Sequence, residues 1–183
     1  MRVLGLDPGT VATGWGVIDA AGERLTYACG GVIRAAGPLP QRLAKVYQQT
    51  ERILATYAPH WVSLEKTFVG ENVQSAFRLG EARGVILVAV AQAGIPVCEY
   101  SPAEIKVAVA GNGRAAKEQM QSMVARLLAL AALPAGDEAD ALGAAICHLH
   151  SHRFATLVGG AETQRQLVGL GQTARPRSRR GAR

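Results

Sequence analysis

The chain has 183 residues, 49% hydrophobic and 19% charged, with 20 lysines and arginines against 14 acids for a net charge of +6. That length fits one domain able to bury roughly two-thirds of its unfolded surface without staples. Three widely spaced cysteines, Cys29, Cys98 and Cys147, with no Cys-x-x-Cys pair, exclude a disulfide framework or zinc ribbon, and the longest apolar run, Val85 to Ala91, is far short of the roughly 18 residues of a membrane span; a soluble, cytoplasmic protein with no membrane association is expected.

The first stretch, Val3 to Leu6, carries too few polar residues for a half-exposed strand and reads as buried on both faces, ended just after Asp7 by Pro8-Gly9. Thr13 to Ile18 gives a second strand and Arg24 to Arg34 a third, beyond an Ala21-Gly22 turn, so an antiparallel meander opens the fold. Over Pro38 to Tyr57 the apolar period changes to three and four residues, the mark of an amphipathic helix, and Pro59 stops it. Trp61 to Glu65 is a short strand that, following a helix, is expected to lie parallel to an earlier strand by a right-handed crossover.

Val73 to Ala93 reads as a long helix with a smooth stripe of Ala76, Gly80 and Gly84. Each helical glycine costs about 1 kcal/mol against alanine, so the stripe calls for close approach, within the chain or between subunits. Ile95 to Tyr100 is a fifth strand, and Ser101-Pro102-Ala-Glu104 has the residues of a capping box with a first-turn proline. Gly111-Asn-Gly113 breaks that helix, Ala115 to Leu130 resumes it, and Asp137 to His152 forms the last one. The order implies an α/β fold with one mixed sheet, three antiparallel strands plus parallel ones, and helices around it. Residues 1–153 form a single domain of net charge +1, whereas 154–183, aperiodic with six arginines and one glutamate, reads as a disordered basic tail.

Because the body is nearly neutral, a basic face must be balanced by clustered acids. Four stand out by position: Asp7 and Glu65 at strand ends, and Asp137 and Asp140 three apart on one helix face. Each has an ordinary reading, a turn former for Asp7 and an N-cap with a capping box for Asp137 and Asp140. Gathered together, however, like charges repel unless a cation neutralises them. All-oxygen ligation suits magnesium or manganese, and two such ions clamp the attacking and leaving oxygens of phosphoryl transfer. A metal-dependent phosphodiesterase is the expected chemistry.

Several motifs in order then carry a family resemblance: Gly5-Leu-Asp-Pro-Gly-Thr10 with Thr13-Gly-Trp-Gly16, Glu65-x-x-Phe68, Ser75-Ala-x-x-Leu-Gly-x-Ala-Arg-Gly84, Pro96-Val-x-Glu-Tyr100, and the series from Asp137 to His148. From Arg2 to His152 the chain resembles the RuvC-type Holliday-junction resolvases of the ribonuclease H-like superfamily. The resemblance implies that Asp7, Glu65, Asp137 and Asp140 are catalytic carboxylates holding divalent ions. It implies a homodimer paired through the Ala76, Gly80 and Gly84 helix, four-way junction DNA as substrate, and the branch-migration proteins RuvA and RuvB as partners. By the same resemblance Phe68 meets bases at the junction centre, where stacking is worth about 1–3 kcal/mol per base. Lys106 and Lys117 match basic positions near the active site, and Arg78, Arg83 and Arg114 are further phosphate-contact candidates. Cys147, His148, His150 and His152 lie too far along the last helix from Asp140 to join the acids. Gly111 to Lys117 lacks the Gly-Lys-Ser/Thr of a phosphate loop and does not follow a strand.

Overall fold

The computed structural model describes residues 1–66 and 73–157. The chain runs β1 (Arg2–Asp7), β2 (Ala12–Ala21), β3 (Arg24–Arg34), α1 (Leu39–Tyr57), β4 (Trp61–Glu65), α2 (Val73–Gln92), β5 (Val97–Tyr100), α3 (Pro102–Ala110), α4 (Lys117–Leu127) and α5 (Gly136–Leu157). One sheet holds all five strands in the order β3-β2-β1-β4-β5. The first three form the expected antiparallel meander, and β4 and β5 join parallel to β1 and to each other. Local chemistry sets the boundaries. Gly22, at φ +60, closes the β2–β3 hairpin, and Ser101 and Glu104 form the expected capping box at the start of α3. Several boundaries differ from the sequence reading, most of all in that β2 runs on to Ala21, β5 begins at Val97, α4 is shorter at both ends, and α5 continues through Phe154 to Leu157, past the limit of 153.

Strand alternation divides the molecule into two layers. Val3, Gly5 and Asp7 of β1 share a face with Ile18, Gly16 and Gly14 of β2 and with Trp61 and Ser63 of β4. On that face Val3, Ile18 and Tyr100 meet Ile105 and Val109 of α3, Met120 and Val124 of α4, and Leu142, Ile146 and Leu149 of α5. On the other, Leu4, Leu6, Val17, Val62 and Leu64 meet Val46, Ile53 and Leu54 of α1 and Ile86, Ala89 and Val90 of α2. The twice-buried reading of the first strand holds, since residues 3–6 are buried throughout.

The glycines of β1 and β2 decide how closely α5 approaches. A Cβ on Gly5 would stand 1.9 Å from the carbonyl oxygen of Ala141, one on Gly14 1.8 Å from that of Asp137, and one on Gly16 2.4 Å from the Leu142 side chain. No side chain fits there, so the helix backbone lies directly on the sheet backbone. The Ser63 hydroxyl donates to the Ala144 carbonyl at 2.7 Å, adding a buried hydrogen bond of about 1 kcal/mol between β4 and the same helix.

Candidate active site

The carboxylates come together at the carboxyl end of the two central strands. The last pair between β1 and β4 is Leu6 with Leu64, so Asp7 and Glu65 follow side by side, and alternation turns both side chains to the α5 face. Asp7 is also the register partner of Gly14, the residue on which the Asp137 carbonyl rests. Asp140 follows on the same face of α5, where the Lys117 ammonium lies 3.3 Å from its carboxylate. Since α5 starts at Gly136, Asp137 lies inside the first turn rather than at the cap. The ion pair with Lys117 likewise takes Asp140 away from the capping role that spacing allowed.

Electrostatics ties the four acids into one cluster. Burial first, and then the charges of Asp140, Glu65 and Asp137, push the Asp7 carboxyl up to about 7, with Lys117 opposing. Glu65 is also raised, by burial first and then by Asp140, while Lys106 opposes. The turn after Asp7 is locked from within: the buried Thr13 hydroxyl donates to the Gly9 carbonyl at 2.7 Å and accepts from the Gly9 N–H at 3.2 Å. The Pro8-Gly9 turn is thereby fixed directly after Asp7, beside the acids at the rim of the sheet. Neither of two clefts, one of about 240 Å³ beside Met1, Leu25 and His152 and one of about 500 Å³ between α1 and α2, includes them.

Among the described residues no group of three or more His, Cys, Asp and Glu side chains is gathered closely enough to make a ready metal cage. The donor chemistry nonetheless fits a hard divalent cation, because all four groups are carboxylates. A half-buried Asp7 facing three like charges, with Lys117 opposing, carries a repulsion that such a cation relieves.

Of the other expected residues, Lys106 on α3 and Lys117 on α4 join the acids, each by its charge. Arg114 is exposed on the α3–α4 connection, its backbone N–H bonded to the Asn112 side chain at 2.9 Å. Arg78 is exposed on α2, which packs against the sheet face opposite the acids. Phe68 lies outside the described residues. Arg83, the other phosphate-contact candidate, pairs with Glu99 and donates to the Glu65 carbonyl. Ala76 is half-buried, whereas Gly80 and Gly84 are exposed with open space above them.

Sequence reasoning missed three supports. The alternate glycines Gly14 and Gly16, with Gly5 across the ladder, were a readable signal for helix contact. Tyr27 on β3 donates to Glu138 at 2.9 Å and so ties the first turn of α5 to the sheet; no local pattern joins residues 111 apart. His148 is fully buried, its Nδ1 2.9 Å from the Tyr100 hydroxyl and its ring tilted against those of Trp61 and His152.

The chain matches the family described as crossover junction endodeoxyribonuclease RuvC over residues 3–148, a span that contains all four acids. This chain belongs to the RuvC family. It is 48% identical over 161 residues to the crossover junction endodeoxyribonuclease RuvC of Burkholderia thailandensis, covering 87% of this chain and 89% of that one, and 47% identical to the same protein of Paraburkholderia phymatum with the same coverage. Among solved structures it is similar to Thermus thermophilus RuvC in complex with a Holliday junction substrate, with a TM-score of 0.80 at 33% identity over 85% of this chain and 97% of that one. A yeast mitochondrial Holliday junction resolvase shares the fold, with a TM-score of 0.57 at 12% identity over 85% of each chain. The ribonuclease H-like α/β fold is thus the family's own.

Proposed function

We propose that this chain is a crossover junction endodeoxyribonuclease that resolves four-way DNA junctions in recombination and repair. The match to the RuvC family over residues 3–148 carries this reading, and the carboxylate rim is the chemistry expected of it. Asp7, Glu65, Asp137 and Asp140 hold magnesium or manganese, two ions per site. Metal held there would supply an activated water and charge stabilisation at the scissile phosphate.

The remaining parts of the site act by placement. Lys117 and Lys106 set positive charge beside the acids, so a phosphate entering the rim meets both a carboxylate cluster and two ammonium groups. The Thr13-locked turn fixes the chain directly after Asp7, and the glycine seat holds Asp137 in register with Asp7. Phe68 stacks on junction bases, and Arg78 and Arg114 contact phosphates farther out. A homodimer supplies two sites for paired nicks on a two-fold substrate. Exposed Gly80 and Gly84, flanked by exposed Phe77 and Val88 on α2, support pairing through that helix together with Ala76. RuvA and RuvB are the partners that deliver the junction. No described helix is long and apolar enough to cross a membrane, and the cytoplasm is the site of action. Residues 1–153 form the nuclease domain, extended by α5 to Leu157, and the basic residues beyond add salt-sensitive DNA affinity.

The test is incubation with a synthetic four-way junction and magnesium or manganese, beside Asp7→Asn and Glu65→Gln. Paired nicks by the wild type, abolished in both variants with junction binding retained, are expected. A wild type that never nicks in a metal-dependent way sinks the reading. Sedimentation of Gly80→Leu should show single subunits, and an unchanged mass would remove Gly80 from the interface.

A further inference from the structure

Alternation along β4 and β5 sends neighbouring groups to opposite faces of the sheet. The Glu65 side chain faces α5 and the other acids, whereas Glu99, paired with Leu64, faces α1 and α2. Arg83 reaches the sheet from that second side. One of its terminal nitrogens pairs with Glu99, and the other donates to the backbone carbonyl of Glu65 at 3.4 Å. That carbonyl belongs to the residue just past the last β1–β4 pair, where β4 has lost its β1 neighbour and keeps only its pairing to Tyr100 of β5. Both side chains are largely covered, at 18% exposure for Arg83 and 24% for Glu99.

We infer that Arg83 is a positioning residue for the nuclease reaction: held by Glu99, its guanidinium clamps the Glu65 backbone from behind the sheet and so aims the Glu65 carboxylate at the other acids. A planar fork suits this task, since two nitrogens serve two acceptors at a fixed angle. A lysine ammonium in the same place keeps the charge and the pairing with Glu99 but offers no fixed second arm. The clamp also makes the position of α2, the helix carrying Gly80 and Gly84, a determinant of Glu65 geometry.

The inference rests on the endonuclease reading, and its test separates the two. Cleavage of a four-way junction is followed at saturating substrate for the wild type, Arg83→Lys, Arg83→Gln and Glu99→Gln, with junction affinity measured in calcium and thermal midpoints recorded. Arg83→Lys is expected to fold, to bind junction within about twofold of the wild type, and to lose about 10- to 100-fold in kcat, the scale of a displacement near 1 Å in a catalytic group. Arg83→Gln should lose as much, and Glu99→Gln less, because Arg83 keeps its bond to the Glu65 carbonyl. A wild-type kcat in Arg83→Lys overturns the inference while leaving the endonuclease reading intact. So does a loss of junction affinity that accounts for the whole defect, which makes Arg83 a phosphate contact, or a rate defect in Arg83→Lys that disappears once thermal midpoints are matched by temperature. A wild type that cuts no junction overturns the endonuclease reading and this inference with it.

Discussion

On the α5 side of the sheet, backbone meets backbone at Gly5 and Gly14, where the carbonyls of Ala141 and Asp137 sit in the place of Cβ atoms, and at Gly16 the Leu142 side chain takes that place. On the α1–α2 side, by contrast, Leu4, Leu6, Val17, Val62 and Leu64 hold the helices off with full aliphatic side chains. The first arrangement has almost no slack, because a main chain cannot rotate out of a clash as a leucine can. The second tolerates repacking, as cores of hydrophobic residues do. Groups that must be aimed, Asp7, Asp137 and Asp140, stand on the rigid side, and the open stripe of α2 lies on the adaptable one. Glu65 belongs to both, its carboxylate on the first side and its carbonyl gripped by Arg83 from the second.

The largest effect expected of this contrast is chemical. Asp140→Asn should lower junction cleavage by about 10²- to 10³-fold, the scale of removing one preorganised electrostatic group. Asp19→Asn, which weakens a half-exposed pair with Arg2 of 2.8 Å at the far end of β2, should leave the rate unchanged and cost no more than about 1 kcal/mol. Equal rates for the two variants would remove Asp140 from the site. Gly14→Ala comes next: its methyl would meet the Asp137 carbonyl, so α5 must shift, and a loss of about 3 kcal/mol or more in urea unfolding is expected together with lost cleavage. A Gly14→Ala protein with the wild-type urea midpoint would dissolve the claim of a rigid seat.

A third test uses pH. Burial holds the His148 imidazole down at about 4, with His152 adding to the shift, whereas the unfolded chain binds that proton near 6.5. Between those values only the unfolded state is protonated, so this group's contribution to stability is complete above pH 6.5 and is lost as pH falls toward 4. The loss amounts to about 3 kcal/mol. Urea midpoints at pH 7 and pH 4.5 for the wild type and His148→Phe isolate it, because the raised acids at the rim titrate in both proteins; identical pH slopes would show His148 to be inert. The smallest effect has the opposite sign. Gly80→Ala, with nothing within 4 Å of the added methyl, should stabilise single subunits by about 0.5–1 kcal/mol, read as a rise in thermal midpoint at high dilution. A fall in midpoint there would mean that α2 is as tightly seated as α5.

Much of the fold was legible because its signals are local. Arg24–Arg34 and Trp61–Glu65 have the bounds that pattern and turn residues assigned to them, and the Ser101–Glu104 capping box formed as its spacing implied. The position of the acids at strand and helix termini was likewise visible, since Pro8-Gly9 and the Asp137 helix start announce themselves. The partners of Arg83 were not legible because its surroundings on α2 say nothing of a glutamate on a strand behind it. His148 was missed for a related reason: a histidine among small residues near a helix end looks solvated until Trp61 and Tyr100 close over it.

By itself, then, the sequence determined which segments become strands and helices and which residues end them, because hydrophobic period, turn chemistry and capping act over a few residues. Only the tertiary structure decided which sides those elements present to one another. Parallel pairing of β4 with β1 put Asp7 and Glu65 together, Gly5 joined Gly14 and Gly16 of the next strand as one floor for α5, and a helix from the opposite layer came to hold the backbone of an acid it cannot see. The physical reason is that such contacts join residues far apart in the chain through sheet order and strand parity, quantities that belong to the whole assembly of elements rather than to any one of them.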